Sequence, residues 1–144
     1  MRYALAMIDP LRVLRGRIAA MAFPDPTRLS ATFVADRELA RCARFFTGAL
    51  HLGVGAQRYA LEFEAGRFVG AAAVDAAPGP RDLALSAGAD EWEKLLAPEP
   101  LPFYQDPFGA SLHHAVSLGG DSETLFAYYG ALRRVIEILR EARA

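Results

Sequence analysis

Two adjacent imidazoles, His113 and His114, stand out in the sequence as groups able to bind a metal or move a proton. Read as part of a strand from Ser111 to Leu118, they point to opposite faces and cannot share one ion. No cysteine or acid cluster stands nearby at ligand spacing, so no metal site is expected. One histidine satisfied inside and one solvated is the simpler expectation. Glu62 and Glu64 lie two apart on another expected strand, hence on one face. Neighbouring like charges raise a carboxyl pKa and would suit the pair to general-acid work. The alternating Leu61 and Phe63 favour the plainer reading, the wet side of a half-buried sheet. Ser86, Ser111 and Ser117 lack the glycine-flanked elbow of a nucleophile. Cys42 is the sole cysteine, which excludes an intrachain disulfide, and it reads as a small buried hydrophobe on a helix. Gly119-Gly120-Asp121 opens a helix as a phosphate-cradling loop does. No lysine follows it and Gly-x-Gly-x-x-Gly is absent, so a strand-to-helix turn explains it. Asp106 and Asp121 read as turn or capping residues.

The remaining chemical feature is aromatic. Trp92, Phe103, Tyr104, Phe108, Phe126, Tyr128 and Tyr129 cluster in the last third of the chain. Ordinary core accounts for most of them. A proline-rich aromatic loop beside a helix with apolar character on two sides also meets the needs of an apolar pocket. Trp92, Phe103, Tyr104, Phe108, Phe126 and Tyr129 are the expected lining residues.

The elements that must position these residues are led by the segment Gly119 to Arg143. Leu125, Tyr128, Tyr129, Leu132, Val135, Ile136 and Leu139 recur at helical spacing and give one apolar stripe, with Phe126 and Gly130 as a smaller patch beside it. Such a helix is roughly 30 Å long and needs a sheet to cover. Upstream, Asp9-Pro10 starts an amphipathic helix with Leu11, Leu14, Ile18 and Met21 on one face, ended by Pro24 and Pro26. Leu29 to Ala35 is ambiguous between an extended lead-in and helix. Asp36 caps a helix over Arg37–Thr47, with Gly48 at its C-terminus. Alternation then marks strands at Leu50–Val54, Tyr59–Glu64, Phe68–Val74 and Asp82–Ser86, with a tight turn at Ala65-Gly66. The small residues Gly70 to Ala73 predict something large packed closely against their strand. Ala89–Ala97 returns to helical spacing, a loop broken by Pro98, Pro100, Pro102 and Pro107 follows, and Ser111–Leu118 is the fifth strand. The expected architecture is α+β: a five-stranded, mainly antiparallel sheet with helices packed on one face and a long C-terminal helix. One domain over 1–144 is expected, with 1–26 as a helix packed on it.

Composition sets the outer bounds. A hydrophobic content of 53% in 144 residues is enough for a real core. A net charge of −1 gives no electrostatic reason to expect a nucleic-acid partner. Lys94 is the only lysine among 16 basic residues, a bias that reads as a GC-rich bacterial genome rather than phosphate recognition. No apolar run is long enough to span a bilayer, and no signal-peptide core stands at the N-terminus. A cytoplasmic setting and no stable membrane insertion are expected.

The order of elements resembles sterol-carrier-protein-2-like (SCP2-like) domains over roughly residues 36 to 140. The resemblance rests on the hairpin around Ala65-Gly66-Arg67, the strand Asp82–Ser86, the helix with Trp92 and Leu95-Leu96, and the strand that ends in Gly120-Asp121 before a final helix. Ala43-Arg44 followed by Tyr59 to Arg67 is similar to the SCP2-like modules that precede some α/β-hydrolase domains. The resemblance implies a layered fold enclosing an apolar tunnel for sterols, fatty acyl chains or similar ligands, without catalysis or cofactor. The loop Ala97 to Gly109 is longer and richer in proline than that family's pattern, and no hydrolase domain follows within these 144 residues. Three readings stay open. The first is a non-catalytic binder of a small hydrophobic molecule between sheet and terminal helix. The second is an accessory or dimerising module with a filled core, serving a homodimer or a partner enzyme. The third is a small lyase or isomerase using Glu62, Glu64, Asp106 or a histidine.

Overall fold

The computed structural model describes residues 23–143. The helix expected from Asp9 lies outside the described residues. After a 3-10 turn at Pro26–Arg28, the ambiguous stretch is helical: α1 spans Ser30–Ala35. The next helix, α2, spans Arg37–Cys42, and the Asp36 carboxylate accepts the Leu39 amide at 2.7 Å as its cap. It ends earlier than expected, because Phe45 takes φ +73° and turns the chain away; Gly48 opens the following strand instead of closing the helix.

The sheet is built from β1 (Gly48–Val54), β2 (Gln57–Glu64), β3 (Arg67–Ala73), β4 (Leu83–Ala87) and β5 (Val116–Gly119). Its order is β3-β2-β1-β4-β5, with β1 and β4 parallel and every other pair antiparallel. The β2–β3 turn puts Ala65 and Gly66 at positive φ, as a two-residue hairpin loop requires. A Cβ on Gly66 would sit 3.0 Å from the Arg44 and Phe45 backbone, so glycine also lets the turn dock against the end of α2. Of the small residues of β3, Ala71 packs against the core, while Gly70, Ala72 and Ala73 do not receive the large neighbour expected among the described residues. β3 is an edge strand, a Cβ on Gly70 would meet nothing within 4 Å, and Ala72 and Ala73 are exposed.

Between β4 and β5 the chain makes α3 (Ala89–Leu95) and α4 (Pro107–His113). The second of these replaces the first half of the strand expected over Ser111–Leu118. Asp106 caps it through the Gly109 amide and Pro107 occupies its first turn, a strong helix start that outweighs the extended look of the residues after it. The final helix, α5 (Ser122–Arg143), starts from Asp121, whose carboxylate accepts the Thr124 amide at 3.0 Å. Gly120 has φ +122°, and a Cβ there would approach the Asp82 carbonyl oxygen to 2.7 Å. The turn needs glycine for that approach.

One face of the sheet and the helices enclose the core. Leu50, Leu52, Leu61, Leu83 and Leu85 pack with Phe33, Leu39, Trp92 and the residues Leu132, Val135, Ile136 and Leu139 of α5. The fold class is therefore the one read from the sequence, with one parallel strand pair and one extra helix.

Candidate functional site

The six aromatic residues singled out by sequence divide into an interior set and a surface set. Trp92 is fully buried on α3; its indole N–H donates to the Gly53 carbonyl at 2.7 Å, and its ring meets Phe23 edge-on at 5.0 Å. Tyr104 is also buried, with its hydroxyl donating to Glu91 at 2.8 Å. Burial, followed by the hydrogen bond and charge of Glu91, pushes its phenol pKa up. Phe103, Phe108 and Phe126 stand at the surface, with Phe126 68% exposed.

The loop before α4 is stapled to that helix by the two histidines. His113 stacks on Phe103 and His114 on Tyr104, each with ring centroids 3.8 Å apart. His114 Nε2 donates to the Pro102 carbonyl at 3.1 Å. The pair was expected on a strand, with one ring inside and one solvated; it lies instead at the end of α4, with His113 exposed and His114 half-buried. Both imidazoles serve as stacking partners of adjacent aromatics. Phe103 is held at φ +70° in this arrangement.

Tyr129 joins α4 to α5. Its hydroxyl donates to the Asp106 carboxylate and accepts the Phe108 amide at 2.9 Å. Burial and then the Asp106 bond raise its pKa, so it stays a neutral phenol. At the preceding residue, Tyr128, α5 leaves helical geometry (φ −116°, ψ 18°), and its ring packs on Phe46 at 4.8 Å. The helix is thus kinked where it meets the α4 corner. Leu112, four residues after Phe108, is 65% exposed. The result is an apolar corner carrying Phe103, Phe108, Leu112 and Phe126 toward solvent.

The hollows of the described surface include the following three, none of them lined by any of the six predicted residues. One of about 450 Å³ lies beside α3 and the end of α5, between Leu96, Pro98, Leu101 and Arg140. One of about 250 Å³ lies under α1 and α2, between Phe33, Leu39, Phe63 and Phe68. The third, of about 500 Å³, opens on the sheet face turned away from the core and includes His51, Glu62 and Asp82. His51 sits between the outward positions Ala49 and Gly53 of β1, yet it is only 4% exposed. Its Nε2 lies 3.3 Å from Asp82. Alternation along Leu50–Val54 puts His51 on the face opposite Leu50 and Leu52; its acid is 31 residues away, and no spacing signal links them.

Other candidates resolve simply. Cys42 is half-buried, and a Cβ on Gly130 would lie 3.4 Å from its sulfur, so it marks close packing of α2 on α5. Glu62 and Glu64 are exposed on one face of β2, as expected. Among the described residues no group of three or more histidines, cysteines and acids could hold a metal ion. No described helix is long and apolar enough to cross a membrane.

Comparison with known families gives no match, and no curated protein matches the chain. Solved structures do match. The crystal structure of sterol carrier protein 2 aligns over 86% of this chain and 95% of its own, with 19% identity and a TM-score of 0.62. A conserved hypothetical protein of Thermus thermophilus, described as possibly a sterol carrier protein, aligns over 85% of each chain with 22% identity and a TM-score of 0.57. This chain has an SCP2-like fold.

Proposed function

We propose that the protein binds a small hydrophobic molecule of lipid, sterol or fatty-acyl type without transforming it. The observation that carries this reading is the exposed apolar corner at the start of α5, set on an SCP2-like fold. Exposing Phe103, Phe108, Leu112 and Phe126 together at the surface leaves apolar area that an apolar ligand would cover favourably. The kink at Tyr128 separates the first half of α5, which buries no residue fully, from the closely packed second half, and leaves that first half available to a ligand. In this reading Phe126, Phe108, Phe103 and Tyr129 contact the ligand, and Tyr104 and Trp92 are the buried members of the same aromatic set. A lyase or isomerase ranks last, because the candidate bases at this corner are already engaged: Asp106 accepts from Tyr129, His114 bonds the Pro102 carbonyl and His113 stacks on Phe103.

Native mass spectrometry before and after organic extraction tests the reading. A releasable mass that partitions as a lipid or sterol supports it, and Phe126→Ala with Tyr129→Ala then weakens binding about tenfold or more, the scale of losing one buried aromatic contact. Unchanged affinity in that variant would move the ligand elsewhere. A bare polypeptide mass after incubation with mixed lipids and sterols favours the second reading, in which the same exposed corner docks a partner enzyme or a second copy.

A further inference from the structure

The outer-face hollow has a chemical character unlike the apolar corner. The imidazole of His51 forms part of its wall, and Asp82 stands beside it with Oδ1 accepting the Ala49 amide at 2.9 Å and Oδ2 accepting the Gly79 amide at 2.7 Å. Burial works against the Asp82 charge, but the bonds from Gly79, Ala49 and His51 outweigh it and hold its carboxyl below the usual range. An ionised Asp82 accepts only, so the nitrogen facing it, His51 Nε2, carries the proton. In the neutral ring Nδ1 is then a bare lone pair. It is buried and has no hydrogen-bond partner among the described residues. A buried acceptor left unmet is costly, and an occupant supplying a donor removes that cost.

The other polar groups of the wall ask for the same thing. Glu62 pairs in register with Ala49, whose amide Asp82 holds, so Glu62 and Asp82 flank one strand position. Glu64 adds a third carboxylate, offset in part by Arg67 opposite it in the hairpin. The Thr47 hydroxyl oxygen already accepts the Ala65 amide at 2.9 Å. No lysine or arginine lines the hollow among the described residues, and Ala49, Ala60, Val74 and Ala76 make its apolar part.

We propose that this hollow is a second ligand site, for a small organic cation whose protonated amine lies between Glu62 and the His51–Asp82 pair and whose hydrocarbon body rests on the alanines and Val74. An ammonium group supplies the donors the wall lacks and the charge the carboxylates match. A carboxylate or phosphate ligand would meet the like charge of Glu62, Glu64 and Asp82, with the Thr47 hydroxyl as a lone side-chain donor among the described residues. The site lies on the opposite face of the sheet from the aromatic corner and does not depend on its function.

The test is titration of the nitrogen-15-labelled full chain with cyclohexylamine at neutral pH, where it is protonated, against cyclohexanol as its uncharged counterpart. Saturable shifts at His51 Nδ1 and at the Ala49 and Glu62 amides are expected with the amine alone. Asp82→Asn also loses anchoring of two backbone amides, so the decisive variant is Glu62→Gln, an exposed change that leaves the fold intact. It should weaken the amine about tenfold, the worth of one charge-assisted contact. Absence of a saturable shift, an equal response to cyclohexanol, or undiminished binding by Glu62→Gln overturns the proposal. So does a response lost with Phe126→Ala, which would place the amine at the aromatic corner.

Discussion

The two halves of α5 share one helix and do different work. From Ala131 on, the helix buries Leu132, Val135, Ile136, Ile138 and Leu139, and its polar side is pinned down. Arg134 donates to both oxygens of Asp36, at 2.7 to 3.2 Å, and to Glu137 at 3.0 Å. Arg140 and Arg143 reach across to the carbonyls of Leu95 and Glu93. Before Tyr128 no residue of the helix is fully buried, and Phe126 faces solvent. A long apolar stripe in sequence therefore need not mean one buried surface. Where side chains fill a core the helix is fixed; where aromatics stand outside it, the same periodicity is free to serve recognition.

The sharpest way to break this contrast is to truncate each half. Leu132→Ala should cost about 3 kcal/mol, the usual loss for a buried leucine, read from urea denaturation. A loss below about 1 kcal/mol would mean that the second half is no more structural than the first. Arg134→Met comes next, with an expected loss of about 2 kcal/mol, because a half-buried Asp36 keeps its helix amide but loses its guanidinium. The same pair sets an acid limit. The Arg134 bonds, chiefly, hold the Asp36 carboxyl below its ordinary range despite burial. Its contribution is complete above the ordinary aspartate pKa and disappears as pH falls through the lowered folded value. Denaturation midpoints should drop at acid pH in the native chain and fall less steeply in Asp36→Asn.

At the junction, Tyr129→Phe removes the bonds to Asp106 and to the Phe108 amide and should cost about 1 kcal/mol. The smallest effect belongs to Phe126→Ala, within about 0.5 kcal/mol of the native stability. A large loss there would show the first half to be core after all.

Sequence made the sheet, its hairpin and the buried half of α5 legible, because alternation at Tyr59–Glu64 and helical spacing at Leu132–Leu139 are local patterns imposed by burial. The capping roles of Asp36, Asp106 and Asp121 were legible for the same reason: each cap is contained within three residues. The helix α4 was missed although Asp106-Pro107 announces a helix start, because the run Ser111–Leu118 was weighed as a strand ahead of the cap. The kink at Tyr128 leaves no mark in the periodicity. Of the candidate sites, the aromatic residues were legible as types but not as places. Burial of Trp92 and exposure of Phe126 are decided by how α3, α4 and α5 meet. His51 was invisible as chemistry, since its partner reaches it only through the parallel pairing of β1 with β4.

The Arg134–Asp36 contact also bears on how the chain folds. It joins positions 98 residues apart, while the hairpins of β1, β2 and β3 close over a few residues each. Closing so long a loop costs only about 0.6 kcal/mol more than closing one half its length, so the distance is tolerable at equilibrium. Kinetically it is not neutral, because distant contacts are made only after local ones have reduced the search. We expect the hairpins to form early and the buried half of α5 to dock late. Leu132→Ala would then accelerate unfolding far more than it slows folding, and the life of the native state would be set by how long α5 stays seated.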